Sequence, residues 1–332
     1  MKDSGQWSGD SGQGPGIRGQ WTGDSGQWTG DSGRGTVDSG QGSGARSQKS
    51  EVRKRCVIFA ILVFFCWSGI AWATDVNDLL FQGADFHYKG KLDEAIASFQ
   101  AAVQIDPSNE YAHNQLGILY GKKERFNDAF REFSRVVQID RRNTYALLWL
   151  GILYLRQSDL NNAFEKFQEI IRIDPNNADA YYYLGAIYNF RHNPAKAIEY
   201  LKKARDADSG EADTHYRLGK AFHNVDMICN ALLEYYRALK LKPSYTAAIN
   251  ETGWIYYNHG NYEQGIKEWK KTLKINPNDR DAAFNLAKAY NDLAWKAMTA
   301  GDKTEAVRYW KKTLGVNPGN KAAKYNLKKY GK

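Results

Sequence analysis

The sequence predicts an all-α fold, a solenoid of about seven helical hairpins closed by a C-terminal capping helix. Three observations carry that expectation. From Val76 onward small and aromatic residues recur in fixed register every 34 residues. Gly, Asn and Pro fall at the middle and the end of each period. Beyond residue 73 the chain reads as amphipathic helix throughout, and all 21 Tyr lie at or after Tyr88. The repetition has to be recognised first, because 332 residues would otherwise suggest about two domains with separate cores.

Residues 1–50 form the first segment, a leader of Gly, Ser, Asp and Gln with scattered Trp. Residues 3–44 are six copies of a heptad, among them DSGQWSG, IRGQWTG and DSGQWTG. Seven is also a coiled-coil period, but nothing here supplies apolar a and d positions. With so much Gly and so few branched aliphatics the leader has no core to offset ordering entropy, and disorder is expected. A functional alternative makes Trp7, Trp21 and Trp28 sticky stations. The preferred reading treats the leader as a start-site artefact. If the source is bacterial, Val52 could be a GTG initiator.

Residues 51–73 follow as a signal peptide or membrane anchor. Arg53-Lys54-Arg55 precedes an apolar stretch from Cys56 to Ala73, which ends Ala71-Trp72-Ala73 before Thr74. A basic flank, an apolar run and a small-x-small exit are the parts of a secretory signal, with cleavage expected after Ala73. The run is also long enough to cross a bilayer, so an uncleaved single-pass anchor at residues 56–73 remains open. Either way the basic flank should stay cytoplasmic and the repeats should be exported, periplasmic or secreted after cleavage.

The array is expected over 76–320, in units 76–109, 110–143, 144–177, 178–211, 212–245, 246–279 and 280–320. The eighth position holds Gly83, Gly117, Gly151, Gly185, Gly219, Gly253 and then Ala287. Three residues later come Phe86, Tyr120, Tyr154, Tyr188, Phe222, Tyr256 and Tyr290. The twentieth position is Ala95, Ala129, Ala163, Ala197, Ala231, Gly265 and, after an insertion, Ala306. The twenty-fourth is Phe99, Phe133, Phe167, Leu201, Tyr235, Trp269 and Trp310.

Each unit should therefore be two antiparallel helices, A then B. Small residues at positions 8 and 20 let the backbones approach, and the aromatics fill the space around that contact. Gly90, Gly260 and Gly301 fall in the A–B turn, and Asn193-Pro194 suits a turn running into a helix start. Pro107, Pro175, Pro243, Pro277 and Pro318 should end helix B, with Arg141 and Ser209 in their place twice. Asn109, Asn177 and Asp279 are placed to cap the next helix A.

Seven extra residues between Tyr290 and Gly301 amount to almost two helical turns. They keep Leu293, Ala294, Ala297 and Met298 in phase and predict a longer helix A. Residues 321–332 begin like another helix A, with Leu327 at its seventh position and lysines facing solvent, a basic capping helix.

These five position classes resemble the tetratricopeptide repeat, over about three quarters of the chain. The resemblance implies a right-handed α-solenoid whose concave surface is lined by helix A at positions 2, 5, 9, 12 and 13. Carried onto this sequence, the first half of that groove includes Tyr111, Asn114, Ile118, Tyr145, Leu148, Ile152 and Leu155. The second half includes Tyr182, Asn189, Phe190, Tyr216, Lys220, His223, Asn224, Trp254, Tyr257, Asn258, Phe284 and Asn291. Trp254 and Tyr257 stand out as peptide anchors that the scaffold could pack without. Their amide neighbours offer donors and acceptors to an extended backbone. The alternative is that such aromatics simply pack between repeats.

Two sharper family functions do not carry over. The carboxylate clamp of chaperone-binding members needs Lys and Asn where the first unit has Leu80 and Ala84. The asparagine ladder of sugar-transferase arrays sits at position 6, where only Asn285 matches.

Charge narrows the function further. The net charge is +9. From Lys296 to the end ten Lys/Arg face Asp302 and Glu305, and residues 1–73 contribute +2, so the remaining body sits near −1. A neutral body with a basic tail is not the broad basic face of a nucleic-acid binder, and no nucleic-acid partner is expected. Of three cysteines only Cys229 lies in the body, where it reads as a small buried hydrophobe. His215 and His223 are eight apart, too far along a helix for one metal site without other ligands. No phosphate loop, nucleophile elbow or paired carboxylates stand out, so neither an enzyme nor a cofactor is expected.

The reading is a non-enzymatic scaffold outside the cytoplasm, binding a peptide or partner protein in the groove. Two rivals stay open. One is a self-assembling structural subunit, a homo-oligomer in an envelope or secretion complex. The other binds glycan or an anionic membrane surface through the basic C-terminal end.

Overall fold

A computed structural model describes residues 75–331 together with two short strands, Gln20–Thr22 (β1) and Gln27–Thr29 (β2). The strands pair antiparallel with Trp21 opposite Trp28, so two heptad copies form a ladder inside the leader expected to lack order. The remaining expectations for residues 1–50 and for the signal or anchor at 51–73, including Ala71 and Ala73, lie outside the described residues.

Everything else is helical, and the helices are consecutive antiparallel hairpins of the predicted α-solenoid. Two compact units, Met1–Asp159 and Leu160–Lys332, divide the chain. The first holds α1 (Val76–Tyr88), α2 (Leu92–Ile105), α3 (Glu110–Lys122), α4 (Phe126–Ile139) and α5 (Thr144–Arg156). The second opens with α6 (Leu160–Ile173), α7 (Ala178–Phe190), α8 (Pro194–Ala207), α9 (Ala212–His223) and α10 (Ile228–Leu241). It continues through α11 (Thr246–Asn258), α12 (Tyr262–Ile275), α13 (Arg280–Thr299), α14 (Lys303–Val316) and α15 (Lys321–Tyr330). The boundary falls between α5 and α6, so the two helices of the third 34-residue period belong to different units. Among the described residues no helix is long and apolar enough to cross a membrane.

The hairpin core follows from two positions. Gly117 on α3 lies against the ring of Phe133 on α4, and a Cβ there would stand 2.6 Å from Phe133 Cζ. Helices A and B thus close onto each other with an aromatic face in place of a methyl, and Phe99, Phe133, Tyr235, Trp269 and Trp310 are all fully buried.

Each A–B turn carries one residue with positive φ. Gly90, Gly260 and Gly301 adopt it at 73°, 78° and 85°, as expected, but Glu124, Ser158, His192 and Asp226 adopt it at 57°, 61°, 53° and 59°. In all seven the amide that follows the left-handed residue reaches back five residues; six of them meet the position-11 carbonyl, as in Arg125 N–H to Tyr120 O at 2.8 Å, and in the lengthened last unit Asp302 N–H meets Ala297 O. That backbone bond holds the left-handed residue where glycine is missing.

The B–A loops show a device the sequence reading missed. Asp106, Asp140, Asp174, Asp208, Asn276 and Asn317 each accept from the amide two residues on, an Asx turn. Helix B therefore ends normally at Arg141 and Ser209, where proline is absent. Asn109, Asn177 and Asp279 cap α3, α7 and α13 through Ala112, Ala180 and Ala282 amides, and Pro194 starts α8.

The longer α13 runs 20 residues against 13 for α11. Its extra turns bury Ala294 in a small core with Trp310 and Ala323, with Ala297 and Met298 packed against it. Lys321, Lys324, Lys328 and Lys329 of the terminal α15 are exposed.

Cys229 departs from expectation. It is exposed, because it sits in the first turn of α10 on the side away from Ala231, whose methyl is the one turned into the hairpin.

Candidate functional site

In the first unit the predicted inner residues divide by depth. Tyr111 and Tyr145 stand 47% and 39% exposed, each edge-on to a neighbouring ring, Phe99 at 6.1 Å and Trp149 at 6.3 Å. Partial burial raises both phenols above the ordinary tyrosine value. Asn114, Ile118 and Leu148 are half-buried, and the Asn114 carbonyl oxygen has no hydrogen-bond partner. Ile152 and Leu155 are buried outright, so they do not line an open surface.

In the second unit the A helices α7, α9, α11 and α13 are tied to one another by side chains that the sequence reading did not pair. The Tyr182 hydroxyl donates to Asp213 and accepts from Arg217 Nε; Tyr245 also donates to Asp213, and Arg217 Nε reaches that carboxylate at 3.1 Å. Burial pushes the Asp213 carboxyl up, but Arg217 and the two phenols outweigh it and hold it below the usual value. Asn224 Nδ2 meets Asn189 Oδ1 at 3.4 Å. The Tyr257 hydroxyl donates to Asp292 and accepts from Lys288. Tyr182/Arg217, Asn189/Asn224 and Tyr257/Asp292 are all 35 apart, one repeat plus one residue. In the first unit His87 and Lys122 meet at 2.6 Å with the same spacing. Complementary side chains at that separation were the available signal.

One groove assignment, Tyr182, and one anchor assignment, Tyr257, need correction. Tyr182 is 1% exposed and Tyr257 8%, so neither ring lies open. Tyr257 belongs to the core with Trp269, centroids 5.7 Å apart. Gly265 explains it: a Cβ there would lie 3.2 Å from Tyr257 Cβ and 2.8 Å from the Gly253 carbonyl. Where other repeats have Ala at that position, Gly lets Tyr257 settle against helix B. The scaffold does not pack without it.

What remains open on this face centres on position 9. Lys220, Trp254 and Lys288 occupy it in successive repeats. Trp254 is half-buried and stacked on Tyr257 at 5.5 Å, with Lys288 Nζ 5.8 Å from its ring and 4.3 Å from that of Tyr257. Lys220 and His223 approach Glu251 only to 3.5 and 3.6 Å. Burial raises the Glu251 carboxyl, yet His223 and Lys220 more than offset it and leave it depressed. Phe284, 63% exposed, lies one turn before Lys288 on α13. Asn224 and Asn258 are exposed, Tyr216 and Phe190 half-buried, and burial drives the Tyr216 phenol well up. The Asn291 carbonyl oxygen is buried without a partner. The arrangement offers an aromatic ledge with the Lys288 ammonium over it, a Lys220 cation held only loosely, and the exposed amide of Asn258.

Comparison with known proteins bears on the repeats themselves. A TPR repeat model matches residues 83–124, and two tetratricopeptide repeat models match 166–199 and both 114–178 and 250–293. No curated protein sequence matches the chain. Among solved structures, the C-terminal part of a TPR repeat-containing protein from Cytophaga hutchinsonii is 18% identical with a TM-score of 0.60. The match covers 74% of this chain and 98% of that one. A tetratricopeptide repeat protein from Parabacteroides merdae is 15% identical at 0.55, covering 77% and 99%. Pseudomonas aeruginosa pilF is 16% identical at 0.58, covering 64% and 97%. At these identities the likeness establishes the fold. The matched segments resemble tetratricopeptide repeats, and the structural neighbours share the fold.

Proposed function

From the tetratricopeptide repeats that its hairpins match, an architecture that commonly mediates protein–protein interaction, we propose that this chain is a non-enzymatic scaffold. It holds an extended segment of a partner polypeptide against the A-helix face of Leu160–Lys332. The observation that carries the reading is the exposed Phe284 one turn before Lys288, whose ammonium lies over Trp254: an apolar knob and a ledge with a cation over it. An apolar partner side chain buried there would contribute roughly 1.5–3 kcal/mol, and the exposed Asn258 amide suits its backbone.

The test is Trp254→Ser with Phe284→Ser, leaving Tyr257 in place. Partner capture from the native host should fall at least tenfold while helix content is unchanged. Undiminished capture would reject the assignment of this face.

The same reading takes the repeats outside the cytoplasm, supported by the basic flank and apolar run at 53–73. Amino-terminal sequencing of the mature protein should begin at Thr74 if the segment is removed. A cytoplasmic protein retaining residues 51–73 would reject it.

A further inference from the structure

Counting charge by helix face reverses the picture that counting along the sequence gave. In the second unit the B helices α6, α8, α10, α12 and α14 carry sixteen Lys/Arg against eight Asp/Glu, a net +8 contributed entirely from α8 onward. The A helices α7, α9, α11 and α13 carry five against five. The body's near-neutrality hides one strongly basic face, not confined to a tail.

The charge is concentrated at the two positions that follow the buried large residue of each B helix. In α8 the pair is Lys202-Lys203, in α12 Lys270-Lys271, in α14 Lys311-Lys312; α10 has Tyr236-Arg237. The corresponding pairs are Gln100-Ala101 and Ser134-Arg135 in the first unit and Gln168-Glu169 on α6, so the row begins at α8 and is not a requirement of the repeat. Lys203 and Lys271 are neutralised by Glu199 and Glu268 at 2.9 and 2.7 Å. Lys202, Lys270, Lys311 and Lys312 are exposed and have no ion pair among the described residues. Lys270 and Lys312 reach the same ring, Tyr290, from two B helices, at 6.0 and 5.7 Å. Adjacent repeats therefore present their cations side by side.

On α10, flanked in the repeat order by the lysines of α8 and α12, the row is interrupted by Leu233 and Tyr236, 47% and 67% exposed. Leu233, an exposed aliphatic side chain among lysines, has no role against a phosphodiester backbone, where Arg and base-stacking groups serve. It does suit the boundary between headgroups and acyl chains. We infer that the outer B-helix face of Leu160–Lys332 docks on an anionic phospholipid bilayer, with the unpaired lysines on headgroup phosphates and Leu233 and Tyr236 entering the interface. The face lies on the opposite helices from the partner-binding face, so both could be occupied together.

The experiment is flotation of the full chain with vesicles of phosphatidylcholine alone or mixed with phosphatidylglycerol. Binding should require the anionic lipid and fade as salt rises from 0.1 to about 1 M. The variant carrying Lys202→Gln, Lys270→Gln, Lys311→Gln and Lys312→Gln should lose on the order of several hundred-fold, about fivefold for each lysine. Leu233→Ser with Tyr236→Ser should weaken vesicle binding further than salt alone does. Binding through the apolar run at 56–73 would instead be equal on both vesicle types and indifferent to the substitutions, and that result overturns the inference. Tighter binding to duplex DNA or RNA than to anionic vesicles would overturn it in favour of a nucleic-acid surface. All six residues are exposed, so unchanged circular dichroism verifies that the variants fold.

Discussion

Replacing Asp213 with alanine tests how the A helices are held together. One carboxylate receives Tyr182 from α7, Arg217 from its own α9 and Tyr245 at the N-cap of α11, so it ties α7, α9 and the entry to α11 together. The side chains of Arg217 and Asp213 are only 13% and 15% exposed. Removing the anion leaves a buried guanidinium without its counter-charge and takes from Tyr182 and Tyr245 their shared acceptor, which costs about 3–5 kcal/mol. In native-state hydrogen exchange that magnitude becomes roughly 150- to 5,000-fold faster exchange of α9 and α11 amides. The double variant Asp213→Leu with Arg217→Met should recover most of the loss, because burying the pair costs nearly what their attraction returns. Acceleration below tenfold in Asp213→Ala would refute the reasoning.

Gly117→Ala should destabilise the first unit by about 1–3 kcal/mol through the clash with Phe133. Gly121→Ala on the same helix, with open space around it, should stabilise by up to about 1 kcal/mol, read by urea denaturation. Gly90→Ala meets no atom within 4 Å but keeps a φ of 73°, so it should cost about 1 kcal/mol of backbone strain alone. Tyr257→Ala should cost about 3–5 kcal/mol as a core truncation, whereas Trp254→Ser should cost clearly less, which thermal melts would separate. Asp213, Glu234 and Glu251 all titrate below their ordinary values of 3.8 and 4.5. The stability they contribute is therefore complete above about pH 4.5 and lost as pH falls through their lowered values. The melting temperature should drop steeply below about pH 4, and the drop should be shallower in Asp213→Ala.

The sequence disclosed what depends on a residue and its near neighbours. The caps at Asn109, Asn177 and Asp279, the start at Pro194 and the extra turns of α13 follow from local chemistry and helical phase. The turns at Glu124, Ser158, His192 and Asp226 stayed hidden because the backbone bond holding them leaves no residue signature. Tyr257 looked free because its burial depends on Gly265, one helix away, lacking a methyl. Pairs 35 apart, and a basic row spread over four helices, exist only when residues are grouped by face. Adding charge in chain order cancels Lys270 against Asp281 although they lie on different helices.

The most direct test of the scaffold assignment is site-specific photo-crosslinking in the native host. A benzophenone side chain would replace Phe284 on the A-helix face or, as the comparison, Tyr236 on the B-helix face. The account predicts a discrete polypeptide adduct from position 284 and none of that mass from position 236. Adducts from 236 alone, or no protein adduct at 284, would contradict it.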